Sequence, residues 1–538
     1  MTHNPFYPFR SRRSNVWAAR GLVAASQPLA AQAGLQTLLQ GGNAVDAAVA
    51  VAATLNVVEP MSTGIGGDLF ALVWIARERK LYALNASGRA PAAATVERLR
   101  GLGHTTMPET GMLPVTVPGA ASGWDALVRR FGRLPLSEVL APAAHFAEAG
   151  FPVSEVIAEG WGRSLPRLHT HPATARNYLI DGRAPAAGEL FRQPDLARTL
   201  RLVGAQGAEA FYRGELARQI ADFSQANGGL LALEDLAAHA PAWVEPISTE
   251  YHGVRLYECP PNGQGIVALM ALNLLRGFDL QALGHNSPAY LHLLVEALKS
   301  AFADAHYHVT DPAHYPVPVE RLLSAEYADR RRAEIDPQRA AVGLRSGLPK
   351  QSDTVYLTAV DEERNAVSLI NSLFHGWGSG MVVEGTGIAL QNRGFGFSLD
   401  PAHPNAIAPR KRPYHTIIPA MALGADGQPL YSYGVMGGHM QPQGHVQVLL
   451  NLVDFGMSPQ EALDQPRVYW PEGMRVMLEP QLGEETRQAL LALGHDVVPL
   501  GEPAMGLFGG GQVIRIDPAS GLLCGGSEPR KDGCAVGY

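Results

Sequence analysis

Residues 352–380 read SDTVYLTAVDEERNAVSLINSLFHGWGSG. The runs VYLTAV and AVSLIN are rich in β-branched and apolar residues, and the turn-forming DEERN separates them, so this stretch predicts a β-hairpin centred on Glu363. Thr354 and Ser372 are equidistant from Glu363. Hairpin pairing therefore places their hydroxyl groups opposite each other, with Cβ atoms about 4.5–5.5 Å apart.

The residues around this hairpin divide the chain into a helix-rich first part and a strand-rich second part. Residues 341–353, AVGLRSGLPKQSD, have no periodicity and contain Gly and Pro, which predicts an exposed connector. Asn43, with Asp46 three residues later, predicts a helix start, and Ser287-Pro288 predicts another. Strand-like runs occur in both parts, at 69–75 and after Thr354. This distribution favours one fold built from both halves.

Composition and charge exclude several classes of protein. The 538 residues are 46% hydrophobic and 17% charged, which is typical of a globular chain, and the net charge of −7 argues against nucleic acid as a partner. Three scattered cysteines give no disulfide framework, and no apolar run is long enough for a membrane span. The interrupted apolar segment after the basic N-terminus is not typical of a signal peptide. We therefore expect a cytoplasmic protein with no membrane partner.

Neither a cofactor nor a metal is predicted. The glycine-rich GIGGD at 64–68 follows no strand and is interpreted as a turn near the active site, because a dinucleotide fingerprint requires a preceding strand. His306, His308 and Asp311 end an amphipathic helix, so we interpret them as structural residues. PRKRP at 409–413 is interpreted as a solvated loop.

Several segments in the same order resemble γ-glutamyltransferases, which belong to the N-terminal-nucleophile hydrolases. They are NVVEPMSTGIGGDLFALVW, NSPAYLHLLVEALKSAFADAH, SDTVYLTAVD, GMVVEGTGIALQNR, RPYHTIIPAM, GVMGGHMQPQGH and EPRKDGCAVGY. The resemblance spans about residues 20–538. It implies an α+β fold of the four-layer αββα sandwich type, with two packed, largely antiparallel sheets covered by helices.

The resemblance also implies self-cleavage between Asp353 and Thr354. Residues 1–353 would then form a large chain and residues 354–538 a small chain, held together as a heterodimer; a dimer of such heterodimers stays open. A threonine hydroxyl is a weak nucleophile and requires a base, and the new α-amine, with an ordinary pKa of about 7.7–8.0, would supply it. By resemblance, Ser372 orients the nucleophile, and backbone N–H groups of Gly437 and Gly438 form the oxyanion hole.

The sequence departs from the family where γ-glutamyl substrates are bound. The positions that match the family's carboxylate-binding arginine, amine-binding acid, supporting asparagine and paired serines are occupied by Ser87, Gly396, Phe374, His415 and Thr416. We expect one of Arg89, Arg393 and His415 to replace the missing arginine, and a small pocket beside Phe374 and Thr416. The stretch between Asp400 and Arg412 is short, so the lid loop of some family members is expected to be absent.

This pattern resembles the divergent branch that includes oxamate amidohydrolases of purine breakdown and cephalosporin-acylase-like proteins. The leading hypothesis is therefore hydrolysis of a small amide, with oxamate the named candidate, through an acyl ester on Thr354. Classical γ-glutamyl transfer or glutathione hydrolysis is the first alternative. An unprocessed, non-catalytic paralogue that acts as a binding protein is the second.

Overall fold

The computed structural model describes residues 13–343, 353–499 and 506–538. Most of the predicted connector, including Ser352, lies outside the described residues. The strands are β1 (Val16–Ala18), β2 (Leu22–Ala25), β3 (Asp68–Ile75), β4 (Lys80–Ala86), β5 (Phe151–Pro152), β6 (Leu190–Phe191), β7 (Ala242–Val244), β8 (Ile247–Tyr251), β9 (Val254–Glu258), β10 (Asp353–Val360), β11 (Ala366–Phe374), β12 (Val382–Val383), β13 (Ile388–Ala389), β14 (Ala420–Leu423), β15 (Pro429–Met436), β16 (Val468–Glu472), β17 (Arg475–Leu478), β18 (Asp496–Val497), β19 (Gly510–Ile516), β20 (Leu523–Ser527) and β21 (Cys534–Gly537).

The helices lie between these strands along the chain. They are α1 (Pro28–Leu39), α2 (Ala44–Val58), α3 (Val96–Gly101), α4 (Ala120–Phe131), α5 (Leu136–Val139), α6 (Ala141–Ala149), α7 (Glu155–Arg163), α8 (Leu165–Leu168), α9 (Pro172–Tyr178), α10 (Pro194–Gln206), α11 (Ala208–Tyr212), α12 (Glu215–Ala226), α13 (Leu233–Ala237), α14 (Gly265–Leu275), α15 (Leu280–Leu283), α16 (Pro288–His308), α17 (Val319–Leu322), α18 (Ala325–Arg332), α19 (Met440–Val453), α20 (Pro459–Asp464) and α21 (Gly483–Ala492). Within the described ranges, none of these helices has both the length and the apolar content that crossing a bilayer requires.

Two seven-stranded antiparallel sheets form the centre of the molecule. Sheet I has the strand order β21-β2-β10-β11-β3-β4-β7, and sheet II has the order β1-β20-β19-β15-β14-β9-β8. Both sheets contain strands from before and from after residue 353. Each sheet is thus built from strands of both parts of the chain.

Three apolar cores separate four layers. One core packs α1, α2, α4, α6 and α10 on the outer face of sheet I, and a second packs α14, α16 and α19 on the outer face of sheet II. The third lies between the sheets and contains Phe70, Tyr356 and Ile370 from sheet I with Met421 and Ile514 from sheet II. The predicted αββα sandwich is confirmed.

The helix signals in the sequence have the predicted geometry. The side chain of Asn43 accepts hydrogen bonds from the backbone N–H groups of Val45 and Asp46, and a carboxylate oxygen of Asp46 accepts one from the Asn43 N–H at 3.0 Å. Helix α2 after this cap is apolar on every side, and all of its residues are buried. The Ser287 side chain caps α16, whose first residue is Pro288.

The predicted hairpin is formed by β10 and β11. Its register is the predicted one from Val355, which pairs with Asn371, to Val360, which pairs with Ala366. An irregularity between Asp353 and Val355 follows at the open end. Because successive side chains alternate between the faces of a strand, Thr354 faces sheet II together with the core residue Tyr356.

Candidate active site

Thr354 and Ser372 meet at the open end of this hairpin. The Thr354 Oγ1 lies 3.1 Å from the Ser372 Oγ, so a hydrogen bond joins the two hydroxyl groups. Both residues are almost fully buried, with exposed fractions of 1% and 0%. The structure thus brings together the two hydroxyls that the sequence pairs, in a site from which bulk water is excluded.

The Ser372 hydroxyl is held from two further directions. Its Oγ accepts a hydrogen bond of 2.8 Å from the Phe374 backbone N–H and one of 3.4 Å from the Arg393 Nη2. Phe374 has φ +81°, a region that costs a non-glycine residue of order 1–3 kcal/mol. The chain therefore bends sharply just after β11, and this bend directs the Phe374 N–H back to Ser372.

Arg393 belongs to a buried charged cluster beside Ser372. Its Nη1 donates to the Thr416 Oγ1 at 2.7 Å, its Nε lies 3.7 Å from the Asp68 Oδ2, and its guanidinium is stacked 4.1 Å from the Phe374 ring centre. Burial lowers the pKa of Arg393 to about 9, and Asp68 opposes that shift. Arg393 therefore stays a cation at neutral pH, with Asp68 as its counter-charge.

His415 contacts the same carboxylate but is not a second cation. Its Nε2 lies 3.0 Å from the Asp68 Oδ2, and its Nδ1 accepts a hydrogen bond of 3.4 Å from the Ile417 N–H. Burial, reinforced by Arg393, lowers the pKa of His415 to about 4, although Asp68 acts in the opposite direction. The neutral imidazole thus carries its proton on Nε2 and donates it to Asp68.

Asp68 is a site residue that the sequence reasoning missed. It ends the GIGGD turn and begins β3, where it pairs with Ser372 of β11. A Cβ on Gly67 would lie 2.4 Å from the Ser372 carbonyl oxygen, so only glycine permits this close approach. The interpretation of GIGGD as a turn near the active site agrees with this position. The sequence signal that could have identified Asp68 is its position as the acidic residue that ends the GIGGD turn.

The Gly437-Gly438 segment reaches the site because β15 of sheet II faces β10 of sheet I. The Thr358 Oγ1 lies 2.7 Å from the Ser432 Oγ, and a Cβ on Gly434 would lie 2.5 Å from the Tyr356 ring. A step of two residues back along β10, from Thr358 to Tyr356, thus corresponds to a step of two residues forward along β15, from Ser432 to Gly434. The next such step brings the Thr354 end of β10 to the end of β15.

Gly437 and Gly438 follow the end of β15 directly. Both have positive φ values, of 119° and 57°, which glycine adopts readily. Among the residues with described positions, neither backbone N–H donates to a protein acceptor. Their carbonyl oxygens accept from the N–H groups of Met440 and Gln441, which open α19. Two neighbouring backbone donors that are left free for a ligand are what an oxyanion hole requires.

Gln264, a second residue that the sequence reasoning missed, connects this segment to the charged cluster. Its Nε2 donates to the Thr416 carbonyl oxygen at 2.7 Å and to the Gly438 carbonyl oxygen at 2.8 Å. Its Oε1 accepts from the Tyr414 hydroxyl at 2.9 Å. No local pattern in the sequence marks Gln264, because its partners are distant along the chain.

A cavity of about 510 Å³ opens at Phe374 and Thr416. It is larger than the small pocket that the sequence predicts, and it lies in the size range of sites for drug-sized ligands. Apolar and aromatic side chains form the larger share of its surface, but polar side chains also line it, among them Thr105, Thr106, Ser398, Asp400, His403 and Asn405. The lining residues include Met107, His306, Phe374, Phe395, Phe397, Leu399, Tyr414, Thr416 and His439.

The remaining predicted substrate-binding residues do not line this cavity. The Arg89 Nη1 forms an ion pair of 2.8 Å with Asp311, and Arg89 lines a separate cavity of about 320 Å³. His415 contacts Asp68 and does not line the cavity. Arg393 touches two of the lining residues, Phe374 and Thr416, but does not line the cavity itself. Of the three expected replacements for the missing arginine, Arg393 is therefore the one that contacts Ser372, the hydrogen-bond partner of Thr354.

A cluster of residues of the types that bind metals lies outside this site. His292 and Glu296 on α16 lie near His495, all buried, with candidate ligand atoms within 4.8 Å of one another. The Lys299 ammonium lies 2.8 Å from the Glu296 Oε1, and the His292 Nδ1 lies 2.8 Å from the His495 Nε2. This lysine already neutralises the carboxylate, so the cluster reads as a structural network. Asp311, which the sequence analysis considers together with His306 and His308, forms an ion pair with Arg89.

Comparison with known proteins gives matches over essentially the whole chain. The family model for gamma-glutamyltranspeptidase matches residues 30–538. A glutathione hydrolase-like proenzyme of Bacillus subtilis, YwrD, is 40% identical over 97% of this chain and 99% of that protein. The oxamate amidohydrolase proenzyme of Klebsiella pneumoniae is 37% identical over 98% of this chain and 99% of that protein.

The fold has a close match among solved structures. The crystal structure of cephalosporin acylase from Bacillus halodurans is 47% identical, with a TM-score of 0.93, and the match covers 100% of this chain and 99% of that chain. The family match, the fold match and the hydrogen bond between Thr354 and Ser372 all fit the same family. This chain is an N-terminal-nucleophile hydrolase of the γ-glutamyltranspeptidase family.

Proposed function

We propose that this chain is a self-processing amidohydrolase in which Thr354 first cleaves the bond that precedes it and then hydrolyses an amide. The observation that carries this proposal is the buried hydrogen bond between the Thr354 Oγ1 and the Ser372 Oγ, placed where the two sheets end beside Gly437 and Gly438. The relatives that are named as proenzymes support the processing step.

Cleavage of the peptide bond before Thr354 produces the two groups that catalysis requires, a free α-amine and a free hydroxyl on the same residue. The Thr354 Oγ1 attacks the carbonyl carbon of Asp353, the C–N bond breaks, and the released nitrogen takes up a proton as the α-amine of Thr354. Water then hydrolyses the resulting ester, leaving a carboxylate on Asp353 and a free hydroxyl on Thr354. Both sheets contain strands from either side of the cut, so the large and small chains would stay associated as a heterodimer.

Amide hydrolysis then uses the same hydroxyl. The α-amine takes the Thr354 hydroxyl proton while Oγ1 attacks the substrate carbonyl carbon, and the N–H groups of Gly437 and Gly438 stabilise the negative oxygen. The proton passes to the leaving nitrogen, an amine or ammonia departs, and an ester remains on Thr354. Water activated by the α-amine hydrolyses this ester. Ser372, held by Phe374 and Arg393, keeps Oγ1 in position throughout.

Two kinds of acyl group are supported by different observations. Oxamate is supported by the loss of the γ-glutamyl-binding positions, now Ser87 and Gly396, and by the cation Arg393 adjacent to Ser372. A larger, mainly apolar acyl group is supported by the cavity of about 510 Å³, which far exceeds the needs of oxamate. The Arg393 charge is already balanced by Asp68. We therefore place the larger acyl group first and oxamate second.

Self-cleavage should depend on the Thr354 hydroxyl. Purified protein should run as two bands in place of the 57.4 kDa precursor, and the smaller should begin Thr-Val-Tyr-Leu. The Thr354→Ala variant should stay a single chain, because it has no nucleophile, whereas Thr354→Ser should still cleave. Cleavage of Thr354→Ala at the same bond would rule out processing by Thr354.

Loss of the Ser372 hydroxyl should slow turnover without removing the nucleophile. In fully processed protein, Ser372→Ala should lower kcat by about 10²-fold, within the range of positioned groups that assist proton transfer. Ser368→Ala is a matched control, because Ser368 lies on the same face of β11 but bonds to Tyr356, away from Thr354. Equal kcat values in the wild type and Ser372→Ala would remove Ser372 from the mechanism.

The acyl preference can be measured on one processed preparation. We expect kcat/KM to be highest for an arylacetyl amide, lower for oxamate and lowest for glutathione, because neither Ser87 nor Gly396 can pair with the charged groups of a γ-glutamyl substrate. Release of p-nitroaniline from an arylacetyl p-nitroanilide, of ammonia from oxamate and of cysteinylglycine from glutathione reports the three reactions. A preference for glutathione would show that other residues bind the γ-glutamyl group, and a preference for oxamate would reverse the order of the two candidates.

A further inference from the structure

Two neighbouring imidazoles in the cavity wall have ring nitrogens without partners. His439 follows Gly437-Gly438 directly and is 6% exposed, and its Nε2 has no hydrogen-bond partner among the described residues. The same holds, within those ranges, for both ring nitrogens of His306, whose ring centre lies 5.7 Å from that of His439. Buried polar groups are normally paired, so these atoms require an explanation.

The position of the proton on His439 follows from its neighbour Gln264. The Gln264 Nε2 donates to two carbonyl oxygens, those of Thr416 and Gly438, which fixes the orientation of the amide. The Gln264 Oε1 is then an acceptor, and it lies 3.1 Å from the His439 Nδ1. Nδ1 must therefore carry the proton, and Nε2 presents a lone pair on the opposite side of the ring.

Both imidazoles are uncharged at neutral pH. Burial holds the pKa of His439 well below its ordinary value, and His306, His375 and Arg393 lower it further. Burial also lowers the pKa of His306 to about 4. A neutral lone pair accepts a hydrogen bond from an N–H or O–H group, whereas it repels a carboxylate, which has no proton to donate.

The rest of the cavity indicates what would carry such a donor. Phe374, Phe395 and Phe397 line it together with Tyr414, whose hydroxyl proton is already donated to Gln264. Aromatic side chains favour an apolar or aromatic body in contact with them. His439 directly follows Gly438, and Thr416, which contacts both Arg393 and Gln264, lines the same cavity.

We propose that His439 is a specificity-determining residue whose Nε2 accepts a hydrogen bond from a neutral N–H or O–H donor on the acyl group of the substrate. This inference rests on the proposed amide hydrolysis at Thr354. It defines the substrate class as amides of an uncharged acyl group that combines an aromatic or apolar body with one hydrogen-bond donor. Acyl groups that end in a carboxylate are disfavoured.

Three matched p-nitroanilides test this inference: the phenylacetyl, 4-hydroxyphenylacetyl and 4-carboxyphenylacetyl compounds. Processed wild-type protein should prefer the hydroxylated compound to the unsubstituted one by about 10-fold in kcat/KM, mostly through KM, because one hydrogen bond to a buried acceptor is gained. The carboxylated compound should be the poorest of the three.

Variants of His439 test whether its Nε2 atom causes the preference for the hydroxylated compound. Asparagine reproduces the Nδ1–H that bonds to Gln264 but has no atom at Nε2, so His439→Asn should reduce the ratio between hydroxylated and unsubstituted compounds to about one. His439→Gln places an amide oxygen near Nε2 and should restore part of the ratio. His403→Asn is the matched control, because His403 lines the same cavity away from Gly438, and its ratio should equal that of the wild type.

Each failure has a distinct meaning. Wild-type protein that hydrolyses the anilides without discrimination, or a preference that survives in His439→Asn, would overturn the inference and leave the proposed reaction intact. Hydrolysis of oxamate but of none of the anilides would also overturn the inference alone. Hydrolysis of no amide by fully processed protein would overturn the proposed function as well.

Discussion

The hydrogen bond between the Thr354 and Ser372 hydroxyl groups is the interaction on which the site depends. It forms because β10 and β11 pair in one register, in which both hydroxyls face the layer between the two sheets. A slip of one residue would turn Thr354 toward the helices on the other face of sheet I. The apolar residues that alternate with Thr354 therefore fix the position of its hydroxyl group as well as the fold.

A second constraint is the buried charge beside that pair. Arg393 is fully buried and stays a cation, and Asp68 is its counter-charge while also binding the neutral His415. Removing one partner of such a pair typically costs about 3–5 kcal/mol, so the cluster acts as a rigid unit. It supports Ser372 from one side and, because Asp68 already balances the Arg393 charge, leaves little capacity to bind a substrate carboxylate.

Local signals made the hairpin and the helix caps predictable. Alternating residues around the DEERN turn determine the pairing of Val355 with Asn371, and the Asn43–Asp46 capping box needs only four consecutive residues. The roles of Asp68 and Gln264 were not predictable, because their partners are far apart in sequence. Arg89 was a reasonable candidate by position, but its partner Asp311 comes from a distant segment and draws it to another cavity.

The most direct test of the account is to identify the residue that carries the acyl group during turnover. Processed protein is quenched in acid while it hydrolyses a slow arylacetyl amide, and the small chain is digested and analysed by mass spectrometry. The account predicts the mass of the acyl group on the peptide that begins at Thr354. An unmodified Thr354 peptide together with an acyl group on another residue would contradict it.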